Sequence, residues 1–169
     1  AIFNVLQEPK VPDASKQPGG KYDSAFAYQY YKQHYWDGVS FSDERLARTP
    51  VFEPKLQRYF NSVLIQHPDT LSKAANKIVD ASQSSKEMFK VILSTLTEKY
   101  INPAYMGQDA VFVNLFERYY APGKADYWLN EKYKKVVFDR AYSIMANLIG
   151  EKAANMDMVD TLGKSRTLY

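Results

Sequence analysis

The amino-acid sequence contains no cysteine, and this absence excludes several kinds of chemistry. None of its 169 residues can form a disulfide, a thiolate nucleophile or a cysteine-based metal site. The two histidines, His34 and His67, have unrelated surroundings, so the sequence predicts neither a metal site nor a cofactor. It also lacks a run of about 18 apolar residues, the length that spans a bilayer as a helix, so we expect no transmembrane segment.

Charge of one sign is not concentrated anywhere along the chain. The 22 basic and 19 acidic side chains leave a net charge of +3, and the two signs are interspersed. A protein that holds a phosphate backbone needs clustered lysine and arginine, and no such block is present. We therefore expect no nucleic-acid partner.

What the sequence does contain is helical patterning divided by proline and glycine. We expect helices to begin near Ser24, Ser42, Pro54, Pro68, Ser84, Asp109 and Asn130, the last ending before Gly150. The start at Ser84 rests on the capping-box spacing of Ser84 and Glu87. The predicted fold is all-α, an irregular antiparallel helical bundle with a short extended C-terminal segment. A solenoid of helix pairs is the alternative, although the pairs share no repeated residue signature.

The predicted core centres on residues 109–121, which are apolar nearly all round. A helix of this kind must be covered on several sides, so we expect Phe112 and Phe116 at the centre of the domain. The stretch that follows Gly150 changes to a period of two at Ala154, Met156 and Met158, which predicts a hairpin.

These patterns divide the chain into three parts. Residues 1–22 are predicted to be a truncated helix and a mobile loop, 23–149 the helical domain, and 150–169 the hairpin that starts a truncated further domain.

Seven aromatic residues lie between residues 22 and 36, and most of them are predicted to be core. Tyr28 and Trp36 project away from the common face of this helix, so they form the possible binding surface. His34 lies on that face and is predicted to be buried and neutral, whereas His67 is placed to begin the next helix. No pairing of nucleophile, acid and base is visible, so we expect no catalytic residue.

Several stretches, in this order and spacing, resemble a known family. They are 41–50, 67–70, 106–113, and 147–150 with the tail at 160–164. Together they resemble the helical domain of unknown function that precedes the thioredoxin-like domain in secreted proteins of Bacteroides-type bacteria.

The resemblance implies that residues from Gly150 onward are the first hairpin of a TlpA-like or peroxiredoxin-like thioredoxin fold. The Cys-x-x-Cys motif of that fold would lie beyond Tyr169, and a small β-rich domain would precede Ala1. The resemblance also implies an extracytoplasmic location, in the periplasm or on a membrane through a lipid anchor. No catalytic residue carries over, because the chemistry of the family lies outside this domain.

The leading hypothesis is a non-catalytic accessory or interaction domain of a cell-envelope thiol-disulfide oxidoreductase-like protein. Its partners would be the fused thioredoxin-like domain and protein clients. The alternative is a free-standing helical module that binds a peptide or a glycan through its aromatic helix. A third hypothesis is an independent enzyme, but neither histidine has a catalytic partner that is visible in the sequence.

Overall fold

The computed structural model describes residues 5–150 and 155–167, and between residues 24 and 145 it contains seven α-helices. Their bounds are α1 Ser24–His34, α2 Glu44–Ala47, α3 Phe52–Arg58, α4 Pro68–Ser82, α5 Lys86–Ile101, α6 Asp109–Leu115 and α7 Glu131–Met145. Two strands, β1 Asp157–Val159 and β2 Ser165–Thr167, pair antiparallel. The chain is therefore mostly helical, as predicted, with one short sheet at its C-terminal end.

Polar side chains begin the longer helices by accepting hydrogen bonds from the first free backbone N–H groups. Asp23 accepts from Ala25 N at 2.8 Å, and Asn130 accepts from Tyr133 N at 2.7 Å. For α5 the predicted cap, Ser84, is wrong by one residue. Ser85 has the extended backbone that a cap needs, and its hydroxyl accepts from Met88 N at 3.2 Å.

Two helices end in a wide turn that the sequence pattern did not predict. α3 continues into a π-helical turn at Tyr59–Val63, and α6 into another at Phe116–Tyr120. Each turn is closed by a bond across five residues, such as Ala121 N to Phe116 O at 2.9 Å. The extra residue in each turn allows neighbouring aromatic side chains to be buried together, as Tyr119 and Tyr120 are.

The core is built around α6, which packs against α4, α5 and α7. Phe112 is 0% exposed and Phe116 is 2% exposed, so the predicted central helix is confirmed. The packing of several helices around one helix differs from the stacked pairs of a solenoid. Val5, which precedes the loop, is also buried in this core. The division of the chain into three parts stays a prediction.

The segment before α1 is irregular, with short 3₁₀ turns at Ala14–Lys16 and Pro18–Gly20. Gln17 is buried there, donating to Pro12 O and accepting from Asp23 N, both at 2.8 Å. This side chain therefore joins the irregular segment to the start of α1.

The two histidines differ in how they match the predictions. His67 is the N-cap of α4 and accepts a hydrogen bond from Asp69 N at 3.3 Å, as its position suggested. The prediction of a buried His34 is wrong, because its side chain is 40% exposed and its Nδ1 lies 2.6 Å from Asp37 Oδ2. α1 lies at the surface and buries only Ala27 fully, so its covered face is narrower than the aromatic pattern indicated.

The predicted hairpin is present between residues 157 and 167. Met158 pairs with Arg166, and the Asp160 carboxylate accepts from Leu162 N and Lys164 N, both at 2.9 Å. These bonds lower the pKa of Asp160. All the residues of the two strands are exposed. Ala154, Leu168 and Tyr169, which belong to the predicted C-terminal segment, lie outside the described residues, as do residues 1–4.

Truncation of Phe116 should be strongly destabilising, since its ring packs edge-on against Phe138, with 4.9 Å between centroids, at the centre of the core. We expect Phe116→Ala to lower the free energy of unfolding by about 3–5 kcal/mol, measured by urea denaturation. Lys132→Ala, at an exposed position on α7, is the control and should leave the urea midpoint unchanged. Equal midpoints for the two variants would contradict this description of the core.

The hairpin should exchange its amide hydrogens much faster than α6 in dilute solution, because an isolated two-stranded sheet is marginally stable in water. Hydrogen exchange measured by mass spectrometry or NMR would compare residues 157–167 with residues 111–119. Comparable protection in the two segments would show that the hairpin is an integral part of the helical domain.

Candidate binding groove

A groove lies between α1 and α4 and encloses about 540 Å³. This volume is in the range of sites that bind small molecules or short peptide segments. The residues that line it are Gln29, Lys32, Gln33, Trp36, Phe41, Tyr59, Thr70, Lys73, Ala74, Lys77, Ile78 and Ala81. Other concavities on the molecule enclose 270 to 290 Å³.

The floor of the groove is aromatic and apolar. The Trp36 ring lies 5.2 Å from Phe41 and 5.2 Å from Tyr59, between ring centroids. Tyr59 and Ile78 are buried, while Trp36 and Phe41 are half-buried. Trp36 therefore packs on the core with one part of its ring and presents the rest to the groove.

The rim carries positive charge. Lys73 and Lys77 stand one turn apart on α4, and Lys32 lies on α1. Among the described residues that line the groove there is no aspartate or glutamate. Asp80, also on α4, is engaged elsewhere, by Arg118 at 2.6 Å and by the Tyr119 hydroxyl at 2.9 Å. The groove therefore combines an apolar floor with a cationic rim, and its described lining holds no acidic side chain.

Polar atoms also lie behind this floor. Burial raises the pKa of Tyr59. The Trp36 Nε1 atom is buried, and no hydrogen-bond partner is found for it among the described residues. The Tyr28 hydroxyl is buried, and within residues 5–150 and 155–167 no hydrogen-bond partner is found for it. Burial of the Tyr28 hydroxyl without a partner therefore costs free energy, which the packing of the Tyr28 ring must offset.

The structure separates the two residues predicted as a binding surface. Trp36 lines the groove, whereas Tyr28 does not. That either residue binds a ligand stays a prediction. Lys73 and Lys77 were not among the residues predicted from the sequence. The sequence shows that these two lysines are four residues apart and outside the apolar face of α4. It does not show that α1 lies across from them.

Some kinds of site are not found in the described ranges. In residues 5–150 and 155–167 there is no group of three or more histidine, aspartate or glutamate side chains that could hold a metal ion. No helix within the same ranges has both the length and the apolar character to cross a membrane.

The fold and the groove define a small helical domain with a cationic cleft. Residues 3–142 match the family described as "Domain of unknown function (DUF5106)", so the chain belongs to this family. No curated protein matches the sequence.

One solved structure has a similar fold. It is described as a thioredoxin-like protein from Bacteroides caccae ATCC 43185. The TM-score is 0.59 and the sequence identity 21%, and the alignment covers 96% of this chain but 56% of that chain. The chain thus spans little more than half the length of the protein it resembles, and at this identity the likeness shows the fold alone.

The two predicted surface aromatics should differ in their effect on stability. Tyr28→Phe removes a buried hydroxyl that lacks a partner in the described structure, so we expect the free energy of unfolding to change by less than about 1 kcal/mol or to rise. Trp36→Ala removes a ring that contacts Tyr35, Phe41 and Tyr59, and should cost about 3 kcal/mol. Thermal and urea unfolding measure both. A strongly destabilised Tyr28→Phe would reveal a hydrogen bond at that hydroxyl.

Proposed function

We propose that this chain is a non-catalytic accessory domain of a thiol-disulfide oxidoreductase-like protein of the cell envelope. The observation that carries the proposal is the fold shared with a thioredoxin-like protein by a chain that has no cysteine. Thiol-disulfide exchange requires a thiolate, so any redox centre must lie in another part of the protein. We place this redox centre in a region that corresponds to the part of the similar structure not covered by this chain.

The hairpin supports this arrangement. A two-stranded sheet is marginal by itself, and additional strands would complete it. Its strands are three residues each and are exposed in the described structure. We propose that β1 and β2 are the first strands of a thioredoxin-like domain, of the TlpA-like or peroxiredoxin-like kind, that follows the helical domain.

In this proposal the helical domain binds protein clients or orients them toward the redox centre. The protein would act outside the cytoplasm, in the periplasm or attached to a membrane by a lipid. Aromatic residues are enriched at protein interfaces, so the aromatic floor of the groove supports an interaction role.

The coding sequence beyond Tyr169 gives the first test. We expect a Cys-x-x-Cys motif within the next few dozen residues, and its absence would remove the basis of the proposal. The second test uses the full-length protein. The assay measures the rate at which the protein reduces hydroxyethyl disulfide, a small neutral substrate. We expect the groove variant Lys73→Gln/Lys77→Gln to have the same rate as the unmodified protein. Lys132→Gln/Lys135→Gln is the matched control, and loss of this basal activity in the groove variant alone would place the groove in the catalytic part of the protein.

The alternative is a free-standing helical module that binds a peptide or a glycan. The specific observation in its favour is the position of Trp36 on the floor of the groove. The two hypotheses differ in the sequence that follows the domain, since only the accessory domain requires a redox motif there.

A further inference from the structure

We infer that the groove between α1 and α4 binds an extended acidic peptide segment of a client protein. Two of its carboxylates would pair with Lys73 and Lys77, and an apolar side chain between them would contact Trp36. The inference rests on the proposed interaction role and names the chemistry of the partner.

The charge of the groove favours an acidic partner. In the described structure the ion pairs involve other residues, and neither Lys73 nor Lys77 takes part in one. Lys32, on the opposite wall, has its ammonium 6.0 Å from the centre of the Tyr28 ring. Carboxylates in the groove would neutralise these ammonium groups. A neutral glycan would leave them without a counter-charge.

The length of the groove fits a short extended peptide. Along α4 the lining residues run from Thr70 to Ala81, which at a rise of 1.5 Å per residue is about 16 Å. An extended peptide advances about 3.3 Å per residue, so about five residues fill this length. A single small anion would occupy one end of the groove.

The spacing of the two lysines matches alternate side chains of an extended peptide. Lys73 and Lys77 are four residues apart on α4, which separates them by about 6 Å along the helix axis. In an extended peptide, side chains two residues apart lie on the same side and about 6.6 Å from each other. Two acidic residues separated by one residue therefore match the two lysines. The side chain between them points away from the two lysines of the rim, toward the floor, where Trp36 lies.

The probe is a five-residue peptide, glycine-glutamate-leucine-glutamate-glycine, blocked at both ends and labelled with fluorescein. Its binding to the unmodified protein is measured by fluorescence anisotropy. The matched peptide has glutamine in place of both glutamates. We expect saturable binding of the acidic peptide and about tenfold weaker binding of the glutamine peptide, because two exposed ion pairs are lost.

The variant Lys73→Gln/Lys77→Gln should weaken binding of the acidic peptide by about tenfold for the same reason. Lys132→Gln/Lys135→Gln is the control, since it removes the same charge from exposed positions on α7. Circular dichroism verifies that both variants are folded. Equal weakening by the two variants would show that only the overall charge matters and would overturn the inference.

A second readout locates the peptide. Trp36 and Trp128 are the two tryptophans of the chain, so Trp128→Phe leaves Trp36 as the reporter. The unlabelled acidic peptide should shift Trp36 emission over the same concentration range as the anisotropy change. An unchanged emission would place the peptide elsewhere.

Succinate provides the last comparison, because it carries two carboxylates without a peptide backbone. If it competes at the same concentration as the peptide, the groove is a small-anion site and the inference is wrong. Absence of saturable peptide binding would also overturn it. The proposed fusion to a redox domain is tested separately by the sequence beyond Tyr169, so the two failures are distinguishable.

Discussion

The burial of α6 is the constraint on which the rest of the structure depends. Seven of the ten side chains from Val111 to Tyr120 are apolar or aromatic and buried, so the helix is stable only when neighbours cover it on several sides. α4, α5 and α7 provide that cover. Covering α6 uses the apolar face of α4, and this leaves Lys73 and Lys77 exposed at the rim of the groove.

Asp80 determines how the charge on α4 is distributed. Tyr119 is fully buried, and its hydroxyl donates to Asp80 Oδ1, while Arg118 donates to Oδ2. Burial, followed by the Asp80 hydrogen bond, raises the pKa of Tyr119 well above its ordinary range, so the hydroxyl stays a donor. This arrangement joins α4 to the wide turn after α6. It also engages the Asp80 carboxylate with Arg118 and Tyr119, and no ion pair of Lys73 or Lys77 is found among the described residues.

The sequence was sufficient for features that depend on local periodicity and insufficient for those that depend on contacts between distant segments. The buried face of α5, including Phe89, Ile92 and Leu96, follows directly from the helical repeat. The wide turns, the shift of the cap to Ser85 and the exposure of His34 depend on how each helix meets its neighbours. Trp36 could be identified as an aromatic outside the common face of α1. Lys73 could not be associated with it, because the two are separated by 37 positions in the sequence and meet only through the packing of α4.

The floor of the groove belongs to the core, and this has a consequence for binding. Trp36 contacts Tyr35 and Tyr59, and Tyr35 donates to the Lys55 carbonyl at 3.0 Å. A ligand that contacts Trp36 therefore binds only the folded arrangement of these rings and stabilises it by mass action. The ammonium groups of Lys73 and Lys77 have no comparable structural role, since these two residues extend from exposed positions on α4. Changes at the rim can alter the choice of partner while leaving the fold intact, whereas changes at the floor alter both together.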